Sequence, residues 1–184
     1  ELASGGVWIN RDVVGPEYKE EMVYMKLRKD DGRNQDVDRS FSTREELALY
    51  LTGLSTYGRF LRFAYDFRKK EGYRLFYELI VMEEVEYVKL AMKDACEFMS
   101  RKDYTDNWES EMHETFCFWD FSEWKKHLEH EGFYILPESR AYTNPWIVKN
   151  RLEGKVDLFR KYDDQVVRLD YPVTNMLMVA ERRG

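Results

Sequence analysis

The groups in this 184-residue chain that could move a proton or hold a metal are three histidines, two cysteines and 35 Asp and Glu side chains. Their spacing narrows what each could do. His113 stands among Glu109, Glu111 and Glu114 in a neighbourhood that includes Tyr104 and Trp108. A carboxylate beside an imidazole fixes its tautomer and raises its basicity, which suits a general base that takes a proton from an oxygen or nitrogen. The alternative is a surface histidine on an acidic helix. Asp12 closes a short apolar run, the place where open α/β sheets present groups to ligands; the same acid could cap a helix or pair with Arg11. Asp12 and His113 are therefore the candidate catalytic residues, and Tyr104, Trp108, Glu111 and Glu114 the candidate substrate-binding set.

The other reactive types read differently. His127 and His130 are three apart, but they lack the His-Glu-x-x-His spacing of a zinc helix. They also sit among Lys125, Lys126 and Glu129, the pattern of a solvated face, so no metal ligand is assigned. Cys96 and Cys117 are far apart and outside any Cys-x-x-Cys pair, which argues against a zinc ribbon or a disulfide scaffold and for reduced thiols. Tyr104, Trp108, Phe116, Phe118 and Trp119 could wall a pocket or fill a core.

These residues need elements to place them. Val7 to Val14 is a nearly continuous apolar run after Gly5-Gly6, as in a strand covered on both faces. Pro16 with Glu17, Glu20 and Glu21 predicts a helix over 16–28. Ser42-Thr43-Arg44-Glu45 predicts a capped helix from about 43, and Phe60 to Phe67 a second one ending at Arg68-Lys69-Lys70. Residues 73–90 fit either helix or strand spacing, and 92–101 reads as helix. Asp120 with Glu123 caps a further helix closed by Gly132, with a strand over 133–136. Pro145 starts a short helix through Leu152. Residues 156–160 and 166–169 form a hairpin about Tyr162-Asp163-Asp164-Gln165, and 173–180 is a last buried strand.

Composition sets outer bounds. The chain is 43% hydrophobic, enough for one domain with a real core, and 16% aromatic. A net charge of -6 argues against a polynucleotide surface made by bulk charge. No run reaches the roughly 20 apolar residues that cross a bilayer, and no secretory leader pattern opens the chain, so a cytoplasmic protein without a membrane partner is expected.

Two separated stretches share one resemblance. Leu2-Ala3-Ser4-Gly5-Gly6 followed by Val7-Trp8-Ile9-Asn10-Arg11-Asp12 resembles the Leu-x-Pro-Gly-Gly turn and fifth strand of class I S-adenosylmethionine-dependent methyltransferases. Asp120-Phe121-Ser122-Glu123-Trp124 through Leu128, with Gly132-Phe133-Tyr134-Ile135, resembles that family's later helix and sixth strand, and 174–181 its seventh. Ser4 stands where the family usually has proline.

The resemblance implies an α/β fold (α+β as a fragment). Its sheet would be partial and Rossmann-like, with strands equivalent to 5, 7 and 6 over 1–14 and 120–184. A mainly helical lid would occupy 15–119. It implies the carboxyl-terminal part of a methyltransferase, shaping the pocket of a small-molecule methyl acceptor. A noncatalytic methyltransferase-like interaction module is the alternative. No Gly-x-Gly-x-Gly loop follows a first strand and no acid ends a second one. S-adenosylmethionine is thus expected in the full-length protein and not on this chain, whose cofactor-binding residues stay unassigned. The expected partner is a missing amino-terminal half, or a second copy paired along the unmatched edge of strand 7–13.

Overall fold

The computed structural model describes residues 3–163 and 165–183. Leu2 of the glycine turn, Asp164 of the hairpin turn and Gly184 of the tail lie outside them. In chain order the elements begin with strands β1 (Val7–Val13) and β2 (Met22–Leu27), then helices α1 (Arg44–Thr52) and α2 (Thr56–Asp66). Strands β3 (Glu78–Met82) and β4 (Val85–Ala91) follow, then helices α3 (Met92–Arg101), α4 (Trp108–Glu111) and α5 (Phe121–His130). The chain continues through β5 (Phe133–Ile135), β6 (Arg140–Tyr142) and α6 (Pro145–Ile147), which runs into a π-turn (Val148–Leu152). It ends in β7 (Val156–Tyr162), β8 (Gln165–Arg168) and β9 (Asn175–Arg182). The fold is mixed α+β with two antiparallel sheets.

The first sheet is built on β9. It pairs antiparallel with β1 on one side and with β5 and then β6 on the other, in the registers Trp8↔Ala180, Tyr134↔Glu181 and Ala141↔Met176. β1 and β5 therefore run in the same direction. Alternation along β9 puts Met176, Met178 and Ala180 on one buried face, where Phe121, Trp124 and Leu128 of α5 pack on them with Val14. Asp120 starts that helix as predicted: its Oδ1 accepts the Glu123 N–H at 2.8 Å, and Glu123 Oε2 accepts the Asp120 N–H at 2.8 Å. Among the described residues the outer edge of β1 has no strand partner, and Ile9 there is 67% exposed.

The second sheet has the order β3-β4-β2-β7-β8 and carries most of the core. Val23, Met25, Leu27, Val88, Leu90, Val156 and Leu158 belong to one buried cluster with Leu51, Phe60, Phe63 and Phe98 of the helices. The aromatic excess resides largely here: the Phe60 ring meets Phe98 edge-on at 5.3 Å and Tyr77 at 5.2 Å. Thr43 caps α1 by accepting the Glu46 N–H at 3.2 Å.

Three differences from the sequence reading have physical causes. Residues 16–28 are not a helix; a turn leads into β2. Pro16 and the acids meet the rules of a helix start, but Val23, Met25 and Leu27 alternate with Tyr24 and Lys26, and burying that face at the centre of a sheet prevails. Residues 73–90, open between helix and strand, form the β3–β4 hairpin. Glu83 and Glu84 turn it with φ of 49° and 63°, a conformation usually signalled by Asn-Gly. The segment 15–119 is therefore not mainly helical: it contributes β2, β3 and β4, and the 156–168 hairpin completes the same sheet.

Candidate functional site

β1 ends between the two sheets, and cavities open on both sides of the segment that crosses there. Gly15 donates its N–H to the Trp119 carbonyl at 2.9 Å and forms a bridge with Asp120. A Cβ on Gly15 would lie 2.7 Å from the Cys117 carbonyl oxygen and 2.9 Å from that of Trp119. Only glycine allows this approach, and it binds the end of β1 to residues 117–120, which separate the two spaces.

The first space is an apolar cavity of about 190 Å³ lined by Val13, Val14, Cys96, Met99, Tyr104 and Val173 among others. Ser100, Arg151, Thr174 and Asn175 are its polar groups, and among the described residues no carboxylate lines it. Arg151 is held by Asp103 at 2.7 Å and by the Ser100 carbonyl at 3.4 Å, with its guanidinium 5.8 Å over the Tyr104 ring. Lys102, almost fully buried, also pairs with Asp103 at 2.7 Å, and burial lowers its pKa. Cys96 and Cys117 are free and buried. A hydrogen bond to Cys96, donated by the protonated thiol, and burial hold Cys117 well above the ordinary range, so it is not a thiolate nucleophile at neutral pH.

The second space is a cleft of about 370 Å³ across α3 from the first, walled by Phe67, Tyr73, Phe118 and Trp119. Asp94, on the first turn of α3, is only 6% exposed. Burial pushes its carboxyl up to about 6. It accepts a hydrogen bond from the Tyr73 hydroxyl at 3.3 Å; burial and the Asp94 charge raise that phenol to about 12. One turn on, Glu97 accepts the N–H groups of Phe116 at 3.2 Å and Cys117 at 2.8 Å and contacts Arg101 at 2.8 Å. Both ions are buried. Burial raises the Glu97 pKa and lowers that of Arg101. The approach of Arg101 Nη1 falls outside hydrogen-bond geometry, so Nη1 and Nε have no hydrogen-bond partner although the charges touch. The guanidinium lies 4.1 Å from the Phe116 ring centre and 5.0 Å from that of Phe67, which partly offsets this.

The residues singled out from sequence are distributed among several places. Tyr104 lines the apolar cavity. Trp108 is core, with its indole N–H donated to Asp66 at 2.8 Å. His113 follows α4 in a shallow pocket with Trp108 and Asp66, and its Nδ1 is 2.9 Å from Glu71 rather than from its sequence neighbours. Glu111 accepts from Asn107 at 2.9 Å, and Glu114 offers its backbone carbonyl to Arg101 at 3.2 Å. Asp12 is exposed, accepts the Val13 N–H at 2.8 Å, and lines neither space. Arg11 donates to the Tyr142 hydroxyl at 3.0 Å rather than to Asp12. His127 stacks on Trp119 at 4.0 Å. Among the described residues no group of three His, Cys, Asp or Glu side chains could hold a metal ion, and no helix is long and apolar enough to cross a membrane.

Sequence reasoning missed Asp94, Glu97, Tyr73 and Arg151. The one available signal was in α3, where Asp94, Glu97 and Arg101 repeat at helical spacing between apolar positions on both sides. No family model, no curated protein and no solved structure matches the chain.

Proposed function

We propose that the chain is the carboxyl-terminal part of a class I S-adenosylmethionine-dependent methyltransferase and walls the pocket of a small methyl acceptor. The observation that carries this reading is the order β1-β9-β5, with the middle strand antiparallel to both neighbours and α5 leading into β5. It is the order the resemblance implies for the fifth, seventh and sixth strands. The apolar cavity supports it further, because it opens where β1 ends, the ligand side of an α/β sheet.

The residues of this chain do not fit the cofactor itself. Among the described residues the cavity has no carboxylate to take a ribose, and the sequence has no Gly-x-Gly-x-Gly turn for the amino-acid end. The contribution assigned to the chain is the acceptor side: Val13, Val14, Met99 and Val173 exclude water, while Ser100, Tyr104 and Thr174 orient the acceptor. Methyl transfer depends chiefly on such positioning. Asp12 and His113 stand outside this cavity, so acceptor orientation is assigned without them. The unpaired edge of β1 is the place for the strands of the amino-terminal half.

Isothermal titration of S-adenosylmethionine into the intact gene product is the test. Saturable binding by that protein and none by residues 1–184 alone is the expected result. An intact protein that does not bind the cofactor, with no strand, Gly-x-Gly-x-Gly turn and helix ahead of this chain, would overturn the reading. It would favour a noncatalytic interaction module, for which Ile9 at 67% and Phe118 at 65% exposure are the supporting observations.

A further inference from the structure

The cleft over Asp94 holds one buried acid that, among the described residues, no cation contacts. Its other acids each have a cation: Glu123 is 2.5 Å from Lys19, Glu20 is 2.6 Å from Lys93, and Glu97 is 2.8 Å from Arg101. Asp94 is the most enclosed carboxylate of the cleft besides Glu97, and among the described residues it forms no ion pair. A phenol at 3.3 Å is a weak return for removing a carboxylate from water. Lys93 is its sequence neighbour, but the Lys93 ammonium is engaged by Glu20. Arg68, also on the cleft, lies 5.4 Å over the Tyr73 ring.

What Asp94 lacks is a cation in contact, since Arg68 balances the cleft's formal charge without pairing with it, and the walls say what kind fits. Phe67, Tyr73, Phe118 and Trp119 offer aromatic surface, which attracts a cation carrying an apolar body. A bare divalent metal would need several more oxygen ligands than Asp94 can supply with its neighbours, and no such group occurs among the described residues. We infer that this cleft is a binding site for a small organic ammonium ion, with Asp94 as its counter-ion and the aromatic side chains as its walls. The site does not depend on methyl transfer or on the apolar cavity. The groups facing Asp94 from the surrounding elements are Tyr73, Lys93, Glu97 and Glu20, with Lys19, Arg68 and Glu123 elsewhere on the cleft.

The test titrates 2-phenylethylammonium chloride into the 184-residue chain near neutral pH, followed by tryptophan fluorescence and by amide chemical shifts. The neutral twin 2-phenylethanol and the Asp94→Asn variant serve as controls. The expected result is saturation by the amine, with about tenfold or greater weakening for the alcohol and for Asp94→Asn, equivalent to at least 1.4 kcal/mol. Affinity should fall as the pH drops through about 6, where Asp94 takes up a proton. Asp94→Asn removes a buried charge, so loss of folding is not the expected cause of a weak signal. Equal binding of amine and alcohol, unchanged binding by Asp94→Asn, or no saturation by about 10 mM amine would each overturn the site, the last being weaker than any specific recognition worth about 3 kcal/mol.

Discussion

At the scale of single residues, Asp94 and the Glu97–Arg101 pair make opposite contributions to stability. The Asp94 carboxyl titrates near 6 in the fold, above its ordinary range, because burial penalises the charge. The stability linked to its protonation is complete below the unfolded pKa and is lost as pH rises through about 6. Asp94→Asn, which mimics the protonated state, is expected to stabilise the protein at pH 7 by up to about 3 kcal/mol. That advantage should shrink to nothing near pH 4, as urea denaturation at the two pH values would show. Glu97 instead ties residues 116–117 to α3. Glu97→Gln leaves the Arg101 charge buried and uncompensated, with an expected loss of about 3–5 kcal/mol by the same measurement. Replacing both partners by apolar residues should recover only part of the loss, because the Phe116 and Cys117 N–H groups would still lack their acceptor. Neither acid was legible as buried in the sequence. A charged residue on an amphipathic helix reads as solvent-facing unless the partner that covers it is known, and here the cover comes from residues 115–119, some 20 positions away.

At the scale of elements, legibility followed the range of the interaction that fixes each one. The helices starting near 43 and at 120 were readable because caps act within one turn: the pattern Ser42 to Glu45 marked the first start, where Thr43 accepts the Glu46 N–H one position on, and Asp120 with Glu123 caps the second. The hairpin at 156–168 was readable for the same reason. The β3–β4 turn was not, since Glu83-Glu84 takes positive φ without the glycine that normally announces it. Glu84→Gly should relieve that conformation and raise stability by about 1 kcal/mol, read as a higher urea midpoint with an unchanged slope. β2 was misread because a proline and three acids satisfied a local rule while the sheet supplied a stronger, distant one. The wall between the two cavities is another element-level device: Gly15→Ala would force a methyl against two backbone carbonyls that cannot swing aside. A loss of at least 1–3 kcal/mol is expected, with widened exchange of the 117–120 amides as its local signature.

For the whole molecule, the two sheets are threaded through each other in sequence. One takes residues 7–13, 133–142 and 175–182; the other takes 22–27, 78–91 and 156–168. The candidate site was legible only as a place, the end of β1, because its lining comes from β1, α3, residues 115–119 and the stretch before β9. The cores are unequal as well: Val14, Met176 and Met178 are the buried cluster of the first sheet, against two dozen residues in the second. Native-state hydrogen exchange should therefore find β1 and β9 opening at lower free energy than β2 and β4. Equal protection of the two sheets would show that they unfold as one cooperative unit.

The central place of β9 has a consequence for how the chain comes into being. During synthesis every strand of the second sheet has been made by residue 168, whereas β1, β5 and β6 must wait for residues 175–182 before any of them has a neighbour. β1 is made about 160 residues ahead of β9, its one strand partner among the described residues, and stays without that partner while the intervening chain is translated. A ribosome stalled with residue 170 already clear of its exit tunnel should display a protease-resistant five-stranded body with β1 still cleavable. One that has released residue 182 should protect both.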